Sequence, residues 1–507
     1  MAFCPCLRPE VGRVTGEDGA LEALHDGLLD RRVGLGPVGR AVVARLDGRR
    51  PSAEVIAEAA AEAGVPAQEA EHALRTLLLM GLVIGAGDWV RERAAQVRAA
   101  ATLPVLFLEG TRFGCQGSGD CCQSYSLGPL SDEDVARIEA LAGELPTALP
   151  QLGPGPYLEA RPGLEGPPRW YLKTVQGRCV FLLETRRCGL HVAFGAGSKP
   201  GFCRLYPYQH LPTVLGLKLY DGCECACFGQ SARSGPFVDD ELERVLPLLP
   251  AVQEVHHPLV WLDDRTPCDY GHLLRLQEAM AALCEREATA TATLMAQGEL
   301  LRRFLGALRQ CPMEAGEPDR TVERVLAEEP GPPGGWADER AVCAGLAALA
   351  ALAGELAEEI APSAALADRS PAALVSVRPY QELARSLDRV RAAAERATGE
   401  ALGPPAEVPL WDEVWRLSLR QQVFGHRLLV DDRPTAGFLR IALGYLVAAA
   451  HAGERAEARG AACAALAEIN AGHKLALRML HQPALERVFL RHSERVWEVL
   501  AALPLLR

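Results

Sequence analysis

Aromatic residues make up only 6% of this 507-residue chain, and basic residues are outnumbered, 53 against 65, leaving a formal charge of −12. The basic excess that marks a general nucleic-acid binder is therefore missing, and nucleic acid is not an expected partner. Long apolar runs are also scarce. The uncharged stretch from Ala341, AVCAGLAALAALAG, stops near 14 residues, short of the about 20 that a membrane span needs. The opening residues, MAFCPCLRPEVGR, carry no apolar segment followed by a small-residue cleavage site. Together these features predict a cytoplasmic protein with no membrane association. At 49% hydrophobic and 23% charged, the composition is ordinary for a globular protein, and the length suggests roughly three domains.

Cysteine is what the chain has in excess, at 16 residues. In a reducing compartment clustered thiols are more often metal ligands or redox groups than disulfides. Nine of them fall between Cys115 and Cys227. Cys284, Cys343 and Cys463 lie in Ala/Leu-rich helical patterns and read as small buried hydrophobes. Cys4 and Cys6 sit near the start, where a mobile terminus is expected.

Three stretches are visible, and the fold class expected is multidomain and mainly α. In the first, residues 1–97, helical spacing of Val42, Val43 and Leu46 ends at Asp47-Gly48. Ser52 reads as the cap of a helix closed by Gly64. A third helix carries Ala70, Leu74, Leu77 and Leu78, ends at Gly81, and is followed by a strand over Leu82–Ile84. Three short helices and a strand suggest a winged-helix-like domain. Winged helices also read DNA, but the third helix offers only Arg75 as a strong phosphate contact. The GxGxxG from Gly34 to Gly39 is set aside as a dinucleotide site, because Asp30-Arg31-Arg32 is not a buried strand and Pro37 removes a donor.

The second stretch, 104–235, is rich in Gly and Pro, with a helix predicted after Ser131 and its acidic first turn. It reads as a small irregular α+β domain that a metal centre would stabilise. The third, 236–507, is helical throughout and breaks at Gly331–Gly335 and at Gly403-Pro404-Pro405.

The chemistry-bearing motifs all lie in the second stretch. Gly114, Gly117 and Gly119 surround Cys115, Cys121 and Cys122, so the backbone can fold tightly and converge its sulfurs. Cys179 and Cys188 flank Glu184–Arg187, which suggests a β-hairpin pairing the two. Cys203 follows Lys199-Pro200-Gly201-Phe202. Arg186, Arg187, Lys199 and Arg204 would lower nearby thiol pKa values. Cys223, Cys225 and Cys227 close the series. His191 and His210 are possible nitrogen ligands, with a structural role the commoner reading. The pair His256-His257 reads as surface or cap residues.

These motifs resemble the YkgJ-type cysteine-cluster proteins, a zinc- or iron-chelating family related to the flagellin lysine N-methylases. The family pattern runs CxxCxxCC, C-x-F-L, C-x-[IL]-[HY], K/R-P-x-x-C-R-x-[FY]-P and C-x-G. Cys115, Cys121 and Cys122 match the first element, with Ser118 in place of its second cysteine. Cys179, Cys188 and Cys203 match the middle elements, and Cys227 fits the last. The resemblance implies a metal site drawn from these seven cysteines, with Cys223 or Cys225 standing in for Ser118 if a ligand is needed there. It implies either an iron–sulfur (4Fe–4S) cluster or zinc or iron; the methylase relatives add S-adenosylmethionine and lysine methylation. Around Val38–Gly85 the chain is similar to the PqqD-like peptide-recognition domains, which implies a peptide or protein substrate held by the N-terminal domain. Two functions stay open: a protein-modifying enzyme such as a lysine N-methyltransferase, and a non-catalytic chelating protein with a peptide-binding module.

Overall fold

The computed structural model describes residues 5–7, 11–16, 19–26, 31–80, 82–85, 104–124, 127–161, 168–213, 215–249, 259–261, 267–311, 317–328, 339–365, 371–396, 408–430 and 433–506. His256-His257, Cys4 and both glycine–proline breaks of the C-terminal half lie outside the described residues. The protein is mainly helical.

The N-terminal unit opens with strands β1 (Pro5–Leu7), β2 (Val11–Thr15), β3 (Leu21–Asp26) and β4 (Arg31–Gly34). Helices α1 (Pro37–Ala44), α2 (Ser52–Ala63) and α3 (Ala67–Leu79) follow, and then β5 (Val83–Gly85). Strands β2, β3 and β4 form an antiparallel meander, while β1 pairs with β5. Val42, Val43, Leu74 and Leu77 pack between the helices, as their spacing predicts, and Val55 and Ala59 of α2 join them. Gly64 ends α2 with φ 66°, the left-handed turn that only glycine adopts without cost. Pro51, not Ser52, occupies the cap of α2, and no side chain bonds there. Cys6 lies on β1 opposite Ile84, so it belongs to a paired strand and not to a loose terminus. A strand does precede the GxGxxG, but it is the edge of an antiparallel meander with Arg32 exposed.

The central stretch carries strand β6 (Val105–Leu106), then α4 (Cys121–Ser124), α5 (Asp132–Leu141) and α6 (Leu145–Ala148). Strands β7 (Leu158–Arg161), β8 (Arg169–Leu172), β9 (Thr174–Val175) and β10 (Arg178–Cys179) come next. Helices α7 (Gly189–Phe194) and α8 (Gly201–Leu205) lead into β11 (Tyr208–Thr213) and β12 (Gly216–Asp221), then α9 (Phe228–Ser234) and α10 (Val238–Val245). Ser131 caps α5 by accepting from the Asp134 amide at 3.1 Å.

This stretch divides between cores. Ile138, Leu145, Leu172, Phe181 and Leu190 form a small core with Cys179. Tyr220, Cys223, Cys225 and Phe228 instead join the large core of the C-terminal helices. Those helices are preceded by a hairpin of β13 (Leu259–Trp261) and β14 (Pro267–Asp269). They are α11 (Tyr270–Arg286), α12 (Ala290–Gln310), α13 (Glu317–Ala327), α14 (Glu339–Ala365), α15 (Pro371–Arg396) and α16 (Val408–Phe424). After them come α17 (Pro434–Ala458), α18 (Leu466–Met479), α19 (Pro483–Arg491) and α20 (Val496–Ala502).

Among the described residues, two helices are long and apolar enough to cross a membrane, longer than the uncharged runs suggest: Arg340–Ser363 and Pro434–Ala458. The second is 94% buried within the protein, as the central helix of a bundle would be, and the first 39%. Cys284 is buried, but Cys343 and Cys463 are exposed, against expectation. Cys463 lies in the turn before α18, and Cys343 falls on an open face of α14.

Candidate metal centre

The first cysteine segment reaches its place through glycine. Gly117 and Gly119 hold φ of 70° and 65°. A β-carbon on Gly119 would stand 2.8 Å from the Arg186 carbonyl oxygen and 2.8 Å from Leu182 Cδ1. The loop therefore lies flat on the turn between Cys179 and Cys188. Ser118 shapes the same loop by accepting from the Asp120 amide at 3.3 Å, a turn-forming role that needs no metal. Cys121 and Cys122 then open α4, with their sulfurs 3.9 Å apart.

Cys179 and Cys188 meet this segment by a different route from the predicted hairpin. The hairpin lies earlier, where Gln176 and Gly177 take positive φ and pair β9 with β10. Beyond Cys179 the chain makes a tight turn closed by Leu183 N to Arg187 O at 3.0 Å, with Arg186 at φ 62°. Cys188 bridges back to Leu182 and caps α7 instead of entering a strand. Cys203 sits on α8, whose first amide, Gly201 N, donates to both Asp134 carboxylate oxygens at 3.1 and 3.0 Å. The Ser131-capped helix thus holds Cys203 in position.

Five thiols share one neighbourhood here: Cys122 is affected by Cys121, Cys179 and Cys188, and Cys203 by Cys121, Cys122 and Cys188. The hydrogen bond from Cys121 lowers Cys122, but its bond to Cys179, burial and the neighbouring sulfurs outweigh that and push it up to about 12. Cys121 is raised by its bond to Cys122, by burial and by the Cys122 charge, with Lys199 pulling the other way. Burial foremost raises Cys203, again opposed by Lys199. The expected lowering by four cations is thus not found for these three; burial and thiol–thiol repulsion win.

Among the described residues, no group of three or more His, Cys, Asp or Glu side chains stands in a ready metal-holding arrangement. One pair, Cys121 and Cys122, has the spacing of two thiolates on a single ion. Two sulfurs on one tetrahedral zinc, each bonded at about 2.3 Å, stand about 3.8 Å apart, against 3.9 Å for Cys121 and Cys122.

The remaining candidates are placed elsewhere. Cys115 is exposed. Cys227 caps α9, and its backbone amide donates to Cys225 Sγ at 3.4 Å. Cys223 is buried at φ 58° and bonds the Asp221 backbone carbonyl at 3.3 Å. His191 is exposed on α7, and His210 lies on β11 opposite Leu219, its pKa lowered by burial. Sequence reading missed Asp120, Asp221, Asn470, His473 and Lys474, which surround the cysteine segments. Asp221 accepts from the Cys223 amide two residues on, but the partners of the other four are far away in the chain, so no local spacing signals them.

No family model matches the chain, and neither a curated protein nor a solved structure matches it.

Proposed function

We propose that this chain is a cysteine-cluster metal protein whose centre is held by Cys121, Cys122, Cys179, Cys188 and Cys203. The observation that carries the reading is the gathering of these five thiols, with Cys121 and Cys122 at a separation suited to one tetrahedral ion. Close thiolates repel one another, and a cation removes that repulsion; binding would release protons from the raised thiols. A single zinc or iron ion suits the adjacent pair better than a 4Fe–4S cubane, in which each iron takes its own thiolate. Bound there, the metal would tie the glycine loop, the turn and α8 together across a small core. Cys115 and Cys227 belong to the same resemblance and are the next ligands to test. A reducing, cytoplasmic setting goes with thiols kept free for metal.

The N-terminal unit is read as winged-helix-like and peptide-holding. Arg75, the one strong candidate for a DNA contact on α3, donates to the Cys311 carbonyl at 2.6 Å, which supports the peptide reading over DNA. The resemblance to flagellin lysine N-methylases makes S-adenosylmethionine-dependent methylation of a protein lysine the catalytic form of this proposal. Lysine attack needs only a neutral amine placed in line with the methyl donor. In the second form, a closed structural or chelating centre serves a docking protein without chemistry, and the single-ion spacing favours it.

Two measurements test these readings. Cys122→Ala and Cys179→Ala should each lower bound metal and the melting temperature; full metal retention in both would remove the ligand assignment. Saturable S-adenosylmethionine binding would support the catalytic form, and no binding at millimolar cofactor the docking form.

A further inference from the structure

Helix α18 touches both cysteine-bearing arms of the protein, although its contacts with them span 240 residues or more. On one side, the Lys474 ammonium pairs with the Asp120 carboxylate, immediately before Cys121 and Cys122. On the other, Asn470 Oδ1 accepts from Gly229 N at 3.1 Å, and its Nδ2 donates to Gln230 Oε1 at 2.9 Å. These residues lie two and three positions after Cys227. Between them, His473 stacks on Phe228 with ring centroids 4.9 Å apart, and its Nε2 meets Ser418 Oγ at 2.5 Å. The three side chains stand at i, i+3 and i+4, one face of a helix.

This face is rigidly based. A β-carbon on Gly472 would come within 2.3 Å of the Ala448 carbonyl, so α18 lies directly against α17. Gly229 is also closely approached, since a β-carbon there would stand 2.8 Å from Val414 Cγ2 and 2.9 Å from Leu466 Cδ1. The glycine of the C-x-G motif is thereby explained by close approach to the helical region. His473 is fully buried and held neutral, its pKa lowered by burial to about 3, so the stack carries no charge in ordinary conditions.

We propose that Asn470 and Lys474 are positioning residues that fix the Cys121–Cys122 arm and the Cys225–Cys227 arm at a set separation on α18, so that the helical region governs how firmly the thiol centre keeps its metal. The metal part of this inference rests on the thiolate-centre reading; the clamp itself does not. Lys474→Ala frees the first arm and Asn470→Ala the second, whereas Lys474→Arg keeps the ion pair.

The test is arm-specific thiol reactivity in full-length metal-free protein, read by mass spectrometry after timed alkylation, alongside the rate of metal release to a chromophoric chelator. Lys474→Ala should speed alkylation of Cys121 and Cys122 with little change at Cys225 and Cys227, and Asn470→Ala should do the reverse. Metal release should accelerate by about 10-fold or more in Lys474→Ala, the usual effect of losing an outer-shell partner, and return toward wild type in Lys474→Arg. Should Lys474→Ala not fold, Asp120→Asn removes the charge of the same pair from its less buried end. Equal acceleration of both arms, as general loosening would give, overturns the clamp, and so do unchanged alkylation rates. Arm-specific alkylation in a protein that binds no metal would leave the clamp standing and remove the metal reading alone.

Discussion

Gly119 lies so close to Arg186 that a β-carbon on it would stand 2.8 Å from the Arg186 carbonyl oxygen. This contact lays the loop of Cys121 and Cys122 on the turn that ends at Cys188. Substitution meets two penalties, the left-handed φ of 65° and the overlap with backbone that cannot rotate away. Gly119→Val should cost about 2–4 kcal/mol and reduce bound metal. Urea midpoints and metal content of wild type and variant check it. An unchanged midpoint with full metal would show that the loop does not dock as described.

Asp134 links the Ser131 cap to Cys203. Its carboxylate accepts from Gly201 N and from Arg137. Asp134→Ala leaves the first amide of α8 without its acceptor, at a cost of about 1–3 kcal/mol. The Cys203 thiol should then alkylate faster, while Asp134→Asn, which keeps an acceptor oxygen, should lie between. Identical alkylation rates at Cys203 in all three proteins would sever the link.

Lys218 predicts a pH dependence of stability. It is fully buried on β12, donates to Gln277 Oε1 at 2.6 Å and lies 4.2 Å from the Phe424 ring centroid. Burial pulls its pKa from 10.5 down to about 7, with Glu278 opposing. Between these two values the unfolded chain holds a proton that the folded chain does not. Stability should therefore rise with pH across that window, at up to about 1.4 kcal/mol per pH unit from this group. Lys218→Met should be more stable than wild type at pH 7 and lose much of that slope. Parallel slopes in the two proteins would refute the assignment.

How much of this was legible depended on the range of the interactions. Helices α1 to α3 follow from the periodicity of Val42, Leu74 and their neighbours, and the Ser131 cap from side-chain chemistry within one turn. The cysteine segments were visible as motifs. The turn expected over Glu184–Arg187 is present, closed by the antiparallel bridge from Leu182 to Cys188, but it joins no strands and sets Cys188 opposite Leu182, while Cys179 pairs with Thr174. Strands β1 to β4 escaped notice, since short strands without regular alternation give little signal. The contacts of α18 had no local trace at all: Asp120 and Lys474 are 354 positions apart. The fall in thiol pKa expected from Arg186, Arg187, Lys199 and Arg204 failed for Cys121, Cys122 and Cys203, where burial and neighbouring sulfurs dominate.

The most direct test is metal analysis of protein purified without oxygen, with an absorption spectrum and a thiol titration before and after chelation. The account predicts stoichiometric zinc or iron, with the thiols of Cys121, Cys122, Cys179, Cys188 and Cys203 protected until the metal is removed. A metal-free protein whose five thiols titrate freely at the outset, and which takes up neither ion when offered, would contradict it.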